Sequence, residues 1–270
     1  MKTVVITGGT SGIGQVLVEY FAKNNWEVIF TGRNAESAGR ILDSLSDCKL
    51  RFFETDFASF EHVVKTADEI VAQYPVIDVL INNAGVWEMQ FKETTDGIET
   101  NFAVNHLSPM LFTLKLLPRI NPESGRILNT SSGAHRRNIL DLADPEWRQK
   151  AYDGIATYSQ SKLCNILFTN RLARDLSNSR ILVNTVHPGL VKTNLFNKMG
   201  ERNWSNVPNA WDGARSAIFA ATDNAVVNRS NLYIYQERLD PNITELAKDR
   251  QVADSVWELS MGYIQKYLAG

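Results

Sequence analysis

Short continuous apolar runs alternate along the chain with longer stretches in which apolar residues return every three or four positions. The runs at 2–7, 26–31, 49–54, 76–81, 126–130, 181–186 and 231–236 predict strands. Their unbroken Val/Ile/Leu/Phe content predicts burial on both faces, the habit of parallel sheets covered by helices. Ile13, Val16, Leu17, Tyr20 and Phe21 form one stripe on a helix after Gly12, so a β-α-β unit stands at the N-terminus. Segments near 60–73, 96–118, 158–176 and 210–222 predict further helices. Alternation with right-handed crossovers predicts an α/β fold, doubly wound, with a seven-stranded parallel sheet and helices on both faces.

No Pro/Gly-rich linker, low-complexity tract or repeat divides the 270 residues, so 1–270 is expected to form a single domain. A composition of 44% hydrophobic and 21% charged residues supplies a large core. The net charge of −2 comes from 28 basic and 30 acidic residues spread through the chain, which argues against nucleic acid as a partner. No run reaches the roughly 18 apolar residues of a membrane helix, and the apolar stretch before Gly8 is too short for a signal peptide. A cytoplasmic protein without a membrane anchor is expected. Cys48 and Cys164 lack metal-ligand spacing, so neither a metal site nor a disulfide framework is expected.

The chemistry begins at Thr7-Gly8-Gly9-Thr10-Ser11-Gly12-Ile13-Gly14, between the first strand and its helix. Gly8 suits a tight turn, Gly12 a close approach of backbone N–H groups to a pyrophosphate, and Gly14 close helix–strand packing. The second strand ends Thr31-Gly32-Arg33-Asn34, offering an arginine where an NAD site would place a carboxylate. Arg33 is suited to a 2′-phosphate, so NADP(H) is the expected cofactor; a solvated loop charge is the other reading.

Tyr158 and Lys162 lie one helical turn apart. An ammonium about 6 Å from a phenol, at an effective dielectric of roughly 20, is worth about 3 kcal/mol, or about two pKa units. That predicts a phenol depressed into working range as a general acid or base. The fifth strand ends Asn129-Thr130-Ser131-Ser132, placing a hydroxyl at a strand's carboxyl end; the fourth ends Asn82-Asn83-Ala84-Gly85, suited to pass beneath an adenosine.

Together these motifs resemble the short-chain dehydrogenase/reductase family: T-G-x-x-x-G-I-G at 7–14, N-N-A-G at 82–85, the asparagine of Phe102-Ala103-Val104-Asn105-His106, Ser131-Ser132, Y-x-x-x-K at 158–162, and His187-Pro188-Gly189-Leu190-Val191-Lys192-Thr193. V-N-H-L at 104–107, S-S-G-A-H at 131–135, S-K-L-C-N at 161–165 and Trp257-Glu258-Leu259-Ser260 are most similar to its retinol-dehydrogenase-like group. The resemblance implies a Rossmann fold and an oxidoreductase. Tyr158 is implied to exchange the proton, Ser132 to orient the substrate oxygen, and Lys162 to tune the phenol and hold the nicotinamide ribose. Asn105 is implied to anchor a water through its backbone. Besides Gly8, Thr10, Ser11, Gly12, Ile13, Gly14, Arg33 and Asn34, cofactor contacts are implied for Asp56, Phe57, Asn83, Ala84, Gly85, Pro188, Gly189, Val191 and Thr193. Ser131 competes with Ser132 for the orienting role.

Twenty-five residues separate Ser132 from Tyr158, about twice the family's commonest spacing. This 133–157 insertion, with Arg136, Arg137, Trp147, Arg148 and Tyr152, is expected either to lean over the pocket or to be a solvated excursion. The stretch 194–210, with Phe196, Met199 and Trp204, is expected to supply further substrate walls. Their aromatic content favours an apolar carbonyl or alcohol substrate. Members that process membrane lipids usually carry an anchor ahead of the first strand, so a retinoid is not the expected substrate. His106, His135 and His187 are expected to be packing residues. Two rivals remain: an NADP(H)-binding regulator or scaffold without catalysis, and a reductase of a carbon–carbon double bond. Self-association is left open.

Overall fold

The computed structural model describes residues 1–192, 207–226 and 228–269. The elements run β1 (Thr3–Ile6), α1 (Gly12–Lys23), β2 (Glu27–Gly32), α2 (Ala35–Ser44), β3 (Leu50–Glu54), α3 (Phe60–Gln73), β4 (Val79–Asn82), α4 (Thr100–Phe102), α5 (Ser108–Leu116), β5 (Arg126–Thr130), α6 (Gly154–Asp175), β6 (Leu182–His187), α7 (Ala210–Thr222), β7 (Tyr233–Tyr235), β8 (Arg238–Leu239), α8 (Glu245–Lys248) and α9 (Arg250–Ile264). Strand order in the sheet is 3-2-1-4-5-6-7-8. β1 to β7 are parallel, and the order reverses between β1 and β4, so a crevice opens beyond the strands' carboxyl ends there.

Continuous apolar strands are explained by a core on each face. Val5 and Leu80 face the layer built with α3, α5, α6 and α9. Their neighbours Val4, Ile6, Val79 and Ile81 face the layer of α1, α2 and α7. Period-two geometry therefore sends alternate apolar side chains into two cores.

The expected sheet is present with one addition. β8 pairs antiparallel with β7 across a turn in which Gln236 and Glu237 both have positive φ, 49° and 59°. Both of its residues are exposed, so no apolar run marks it in the sequence. α2 and α9 were not among the expected helices. α6 begins at Gly154 rather than near 158, its first N–H groups capped by the Asp153 carboxylate. Every residue from Ala156 to Thr169 is buried, so the helix presents no one-sided apolar stripe from which its start could be read.

Buried amides fix the strand ends near the crevice. Asn82 Nδ2 donates to Thr113 Oγ1 at 2.7 Å and to Asn129 Oδ1 at 2.8 Å, and Asn129 Nδ2 donates to Thr169 Oγ1 at 2.9 Å. β4, β5, α5 and α6 are thereby locked together where the candidate chemistry sits.

Candidate active site

The loop after β1 is a cradle. Gly8 and Gly12 have φ of 67° and 54°, a region that glycine enters without strain. A Cβ on Gly14 would stand 2.1 Å from Gly8 O and 2.7 Å from Asn83 Nδ2, so α1 reaches the β1 and β4 ends only through glycine. Thr7 Oγ1 accepts the N–H groups of Asn83 and Ala84 at 3.0 and 2.9 Å, fastening the N-N-A-G turn to the cradle. Ser11, at the α1 N-cap, makes no side-chain capping bond, and the first turn carries no acidic residue. The positive helix end therefore faces the crevice, a setting suited to an anion.

Beyond these strand ends lies a cleft of about 620 Å³. Gly8, Thr10, Ser11, Gly12, Ile13, Gly14, Arg33, Asp56, Phe57, Asn83, Ala84, Gly85, Ser132, Tyr158, Lys162, Pro188, Gly189 and Val191 all line it. Arg33 is exposed at the tip of β2, where a Cβ on Gly32 would meet the Thr10 side chain at 2.6 Å. Asp56 Oδ1 accepts the Ala58 N–H at 3.0 Å, while Phe57 is buried with its ring edge against Phe112. Gly189, with φ of 85°, turns the chain after β6. Asn34 is not part of the wall: its side chain accepts the Ser37 N–H at 2.8 Å and caps α2. Thr193, Phe196, Met199 and Trp204 lie outside the described residues.

Tyr158 is 4% exposed. The Lys162 ammonium stands 5.7 Å from its ring centroid, and Nζ donates to Thr130 O at 3.4 Å. The expected depression of the phenol is corrected by the structure. Burial pushes Tyr158 up to about 12, offset in part by a hydrogen bond with Ser132, and the same burial pulls Lys162 down to about 8. Burial disfavours phenolate and ammonium alike. The two serines separate cleanly. Ser131 Oγ donates to the Lys162 carbonyl at 2.7 Å and is committed to holding α6, whereas Ser132 faces the phenol.

Asn105 does not itself line the cleft, but its Oδ1 stands next to Gly85, which does, on the side of Lys162 Nζ. It lies in a π-helical stretch, Ala103–Leu107, between α4 and α5, and such bulges redirect a helix locally. Its Oδ1 accepts the Val86 N–H at 2.7 Å and its Nδ2 donates to Val86 O at 3.0 Å. No residue between 133 and 157 lines the cleft among the described residues. Instead the insertion braces the neighbouring wall: Glu146 accepts the Glu99 N–H at 3.0 Å, and Tyr152 donates to Glu99 at 2.7 Å. Glu99 is fully buried, and that burial raises its carboxyl pKa against three opposing hydrogen bonds.

The wall that sequence reasoning missed runs from Val86 to Thr100 and includes Trp87, Glu88, Lys92, Glu93, Thr94 and Thr95. Trp87 stacks on Tyr158 with ring centroids 4.7 Å apart and planes at 18°. An aromatic residue two positions past the N-N-A-G turn was the one available signal. The histidines pack as expected. His106 Nε2 pairs with Ser260 Oγ at 2.7 Å, His135 Nδ1 donates to Ser132 O at 2.7 Å, and His187 stacks on Tyr235 at 4.8 Å.

Comparisons with known proteins agree with this geometry. The family model for short chain dehydrogenase matches residues 2–204. Mouse retinol dehydrogenase 14 is 32% identical, the alignment covering 96% of this chain and 84% of that protein. A solved structure of an uncharacterised protein from Mycobacterium Paratuberculosis superposes with a TM-score of 0.82 at 31% identity, covering 98% of this chain and 94% of the other. A blue fluorescent protein from a metagenomic library, solved in complex with NADPH, superposes at 0.72 with 25% identity, covering 87% and 95%.

Proposed function

The chain belongs to the short-chain dehydrogenase family, in its retinol-dehydrogenase-like group, and we propose that it reduces a carbonyl compound with NADPH, with Tyr158 as the proton donor. The observation that carries this reading is the meeting of Tyr158, Ser132 and Lys162 on one wall of a cleft that also holds a glycine cradle and Arg33.

The donor set fits a dinucleotide. The uncapped N-terminus of α1 offers backbone N–H groups to a pyrophosphate, and a side chain at Gly14 would collide with the cradle itself. The Arg33 guanidinium is suited to a 2′-phosphate, and the fluorescent relative's complex with NADPH supports that choice. When bound, the nicotinamide supplies the hydride.

The chain's own residues handle the oxygen. Ser132 Oγ accepts the Ala134 N–H at 3.2 Å and its hydroxyl meets the phenol of Tyr158, so both hydroxyls can converge on the substrate oxygen. Tyr158, a phenol at neutral pH whose pKa burial raises further, gives that oxygen its proton. Lys162, lowered to about 8 with its Nζ 5.7 Å from the centre of the phenol ring, is the group assigned to resupply the proton. Val86, Trp87, Val104 and Val191 in the cleft wall favour an apolar substrate.

Tyr158→Phe is expected to lower kcat by about 10²- to 10⁴-fold while NADPH still binds, measured by NADPH absorbance and by fluorescence titration. Retained turnover would remove the phenol from the reaction. Arg33→Ala is expected to raise the KM for NADPH and spare that for NADH; a wild-type preference for NADH would end the 2′-phosphate assignment.

A further inference from the structure

Two buried asparagines four positions apart treat the missed wall in the same way. Asn105 closes a two-bond clamp on Val86, as described above. Asn101 Oδ1 accepts the Glu88 N–H at 2.8 Å, and its Nδ2 donates to Glu88 O at 2.9 Å. Each amide stands in for a neighbouring strand, bonding the N–H and C=O of alternate residues as a ladder partner would. Residue 87 lies between the clamps, and alternation along an extended chain turns its side chain away from those of 86 and 88.

The same asparagines touch α6. Asn101 Nδ2 donates to Thr157 Oγ1 at 2.9 Å, and Asn105 Nδ2 donates to Ser161 Oγ at 3.0 Å. Thr157 and Ser161 are the residues immediately before Tyr158 and Lys162. The clamps thus fix the wall and the catalytic helix in one register. At the start of α6, a Cβ on Gly154 would lie 2.5 Å from Glu88 O and from Met89 Cα, so the wall passes directly over the first turn. Trp87 Nε1 donates to Gly154 O at 2.9 Å, and its ring lies flat on the Tyr158 ring.

We infer that Trp87 is a positioning residue for Tyr158: presented by the Asn101 and Asn105 clamps and tied to α6 through Gly154, its indole sets the angle of the phenol and keeps water from it. The inference rests on Tyr158 being the proton donor. Around the phenol stand Ser132 from the loop after β5, Lys162 from α6 and Tyr233 from β7. Trp87 is the face that carries no charge and does not titrate. A stacked ring of this kind excludes solvent and holds its partner in plane. A flexible side chain of similar volume would do neither.

The test compares Trp87→Phe with Trp87→Met, which keeps apolar volume without a planar ring. Ionisation of Tyr158 is followed by near-ultraviolet absorbance at high pH, isolated as the difference from the same variant carrying Tyr158→Phe. The phenol of Trp87→Met is expected to titrate at least about one pH unit below wild type, because water then reaches it, while Trp87→Phe stays near wild type. With benzaldehyde and NADPH, kcat should fall about tenfold or more in Trp87→Met and recover to within about threefold in Trp87→Phe, the KM for NADPH being unchanged in both. An unshifted phenol with unchanged kcat in Trp87→Met overturns the inference, as does a Trp87→Phe variant that behaves like Trp87→Met. If the wild type reduces no carbonyl, the activity reading fails, while the titration, which needs no substrate, still decides the role of Trp87.

Discussion

Lys162→Met should make the protein more stable and inactive at once. The lysine is 4% exposed, its Nζ meets only the Thr130 carbonyl at 3.4 Å among the described hydrogen bonds, and burial lowers its pKa from 10.5 to about 8. Each pKa unit corresponds to about 1.4 kcal/mol, so holding the buried ammonium costs about 3 kcal/mol at neutral pH. The sign follows from the depressed folded-state value. The stability is present above pH 10.5, where the amine is neutral in both states, and is lost as pH falls through about 8. Methionine keeps the aliphatic stem without the charge. Removing Nζ does not orphan Thr130 O, because Asn165 Nδ2 still donates to it at 3.0 Å. For a chain this long each kcal/mol shifts Tm by about 2–4 °C, so a gain of several degrees is expected near pH 7. Paired urea and thermal unfolding curves near pH 7 and above pH 10 provide the assay. The gain should shrink toward zero at the alkaline end. A variant less stable than wild type near pH 7, or a difference that does not change with pH, would refute the desolvation account.

The two serines should divide in function: Ser131→Ala should cost about 1 kcal/mol of stability with little change in kcat, and Ser132→Ala, which loses a capping bond of similar worth, should in addition lower kcat about 10²-fold. Denaturation and turnover of the two variants side by side decide this, and a reversal would reassign the substrate-facing hydroxyl. His106 is fully buried, and desolvation lowers its pKa from 6.5 to about 4. Its contribution is present above pH 6.5 and lost as pH falls through 4, about 3 kcal/mol in all. His106→Gln should therefore flatten the acid limb of the stability curve in this window, and an unchanged limb would place the acid lability elsewhere.

Much of the site was legible because its residues follow strands. Gly8, Gly12 and Gly14 are forced by backbone geometry at one turn, and a strand before them with a helix after them is readable from apolar spacing alone. Tyr158 and Lys162 were found because four-residue spacing on a helix is a local fact. Trp87 and Asn101 escaped for the opposite reason. Residues 86–99 form no helix or strand, and their place at the cleft depends on amide clamps that join positions 13 and 19 residues apart. Aromatic and polar content together leave the 133–157 insertion open between a pocket wall and a solvated excursion. Those aromatic and acidic groups face inward to brace Glu99 and Asn101 instead.

The layered α/β architecture, the cradle after β1 and the identity of the phenol and amine are written in the order of amino acids, since each is a matter of short-range periodicity or steric permission. How those groups ionise and what surrounds them depends on the folded chain as a whole. A charge's solvation depends on every chain segment that displaces water from it, and at Tyr158 those segments come from β4, β5, β7 and α6 together.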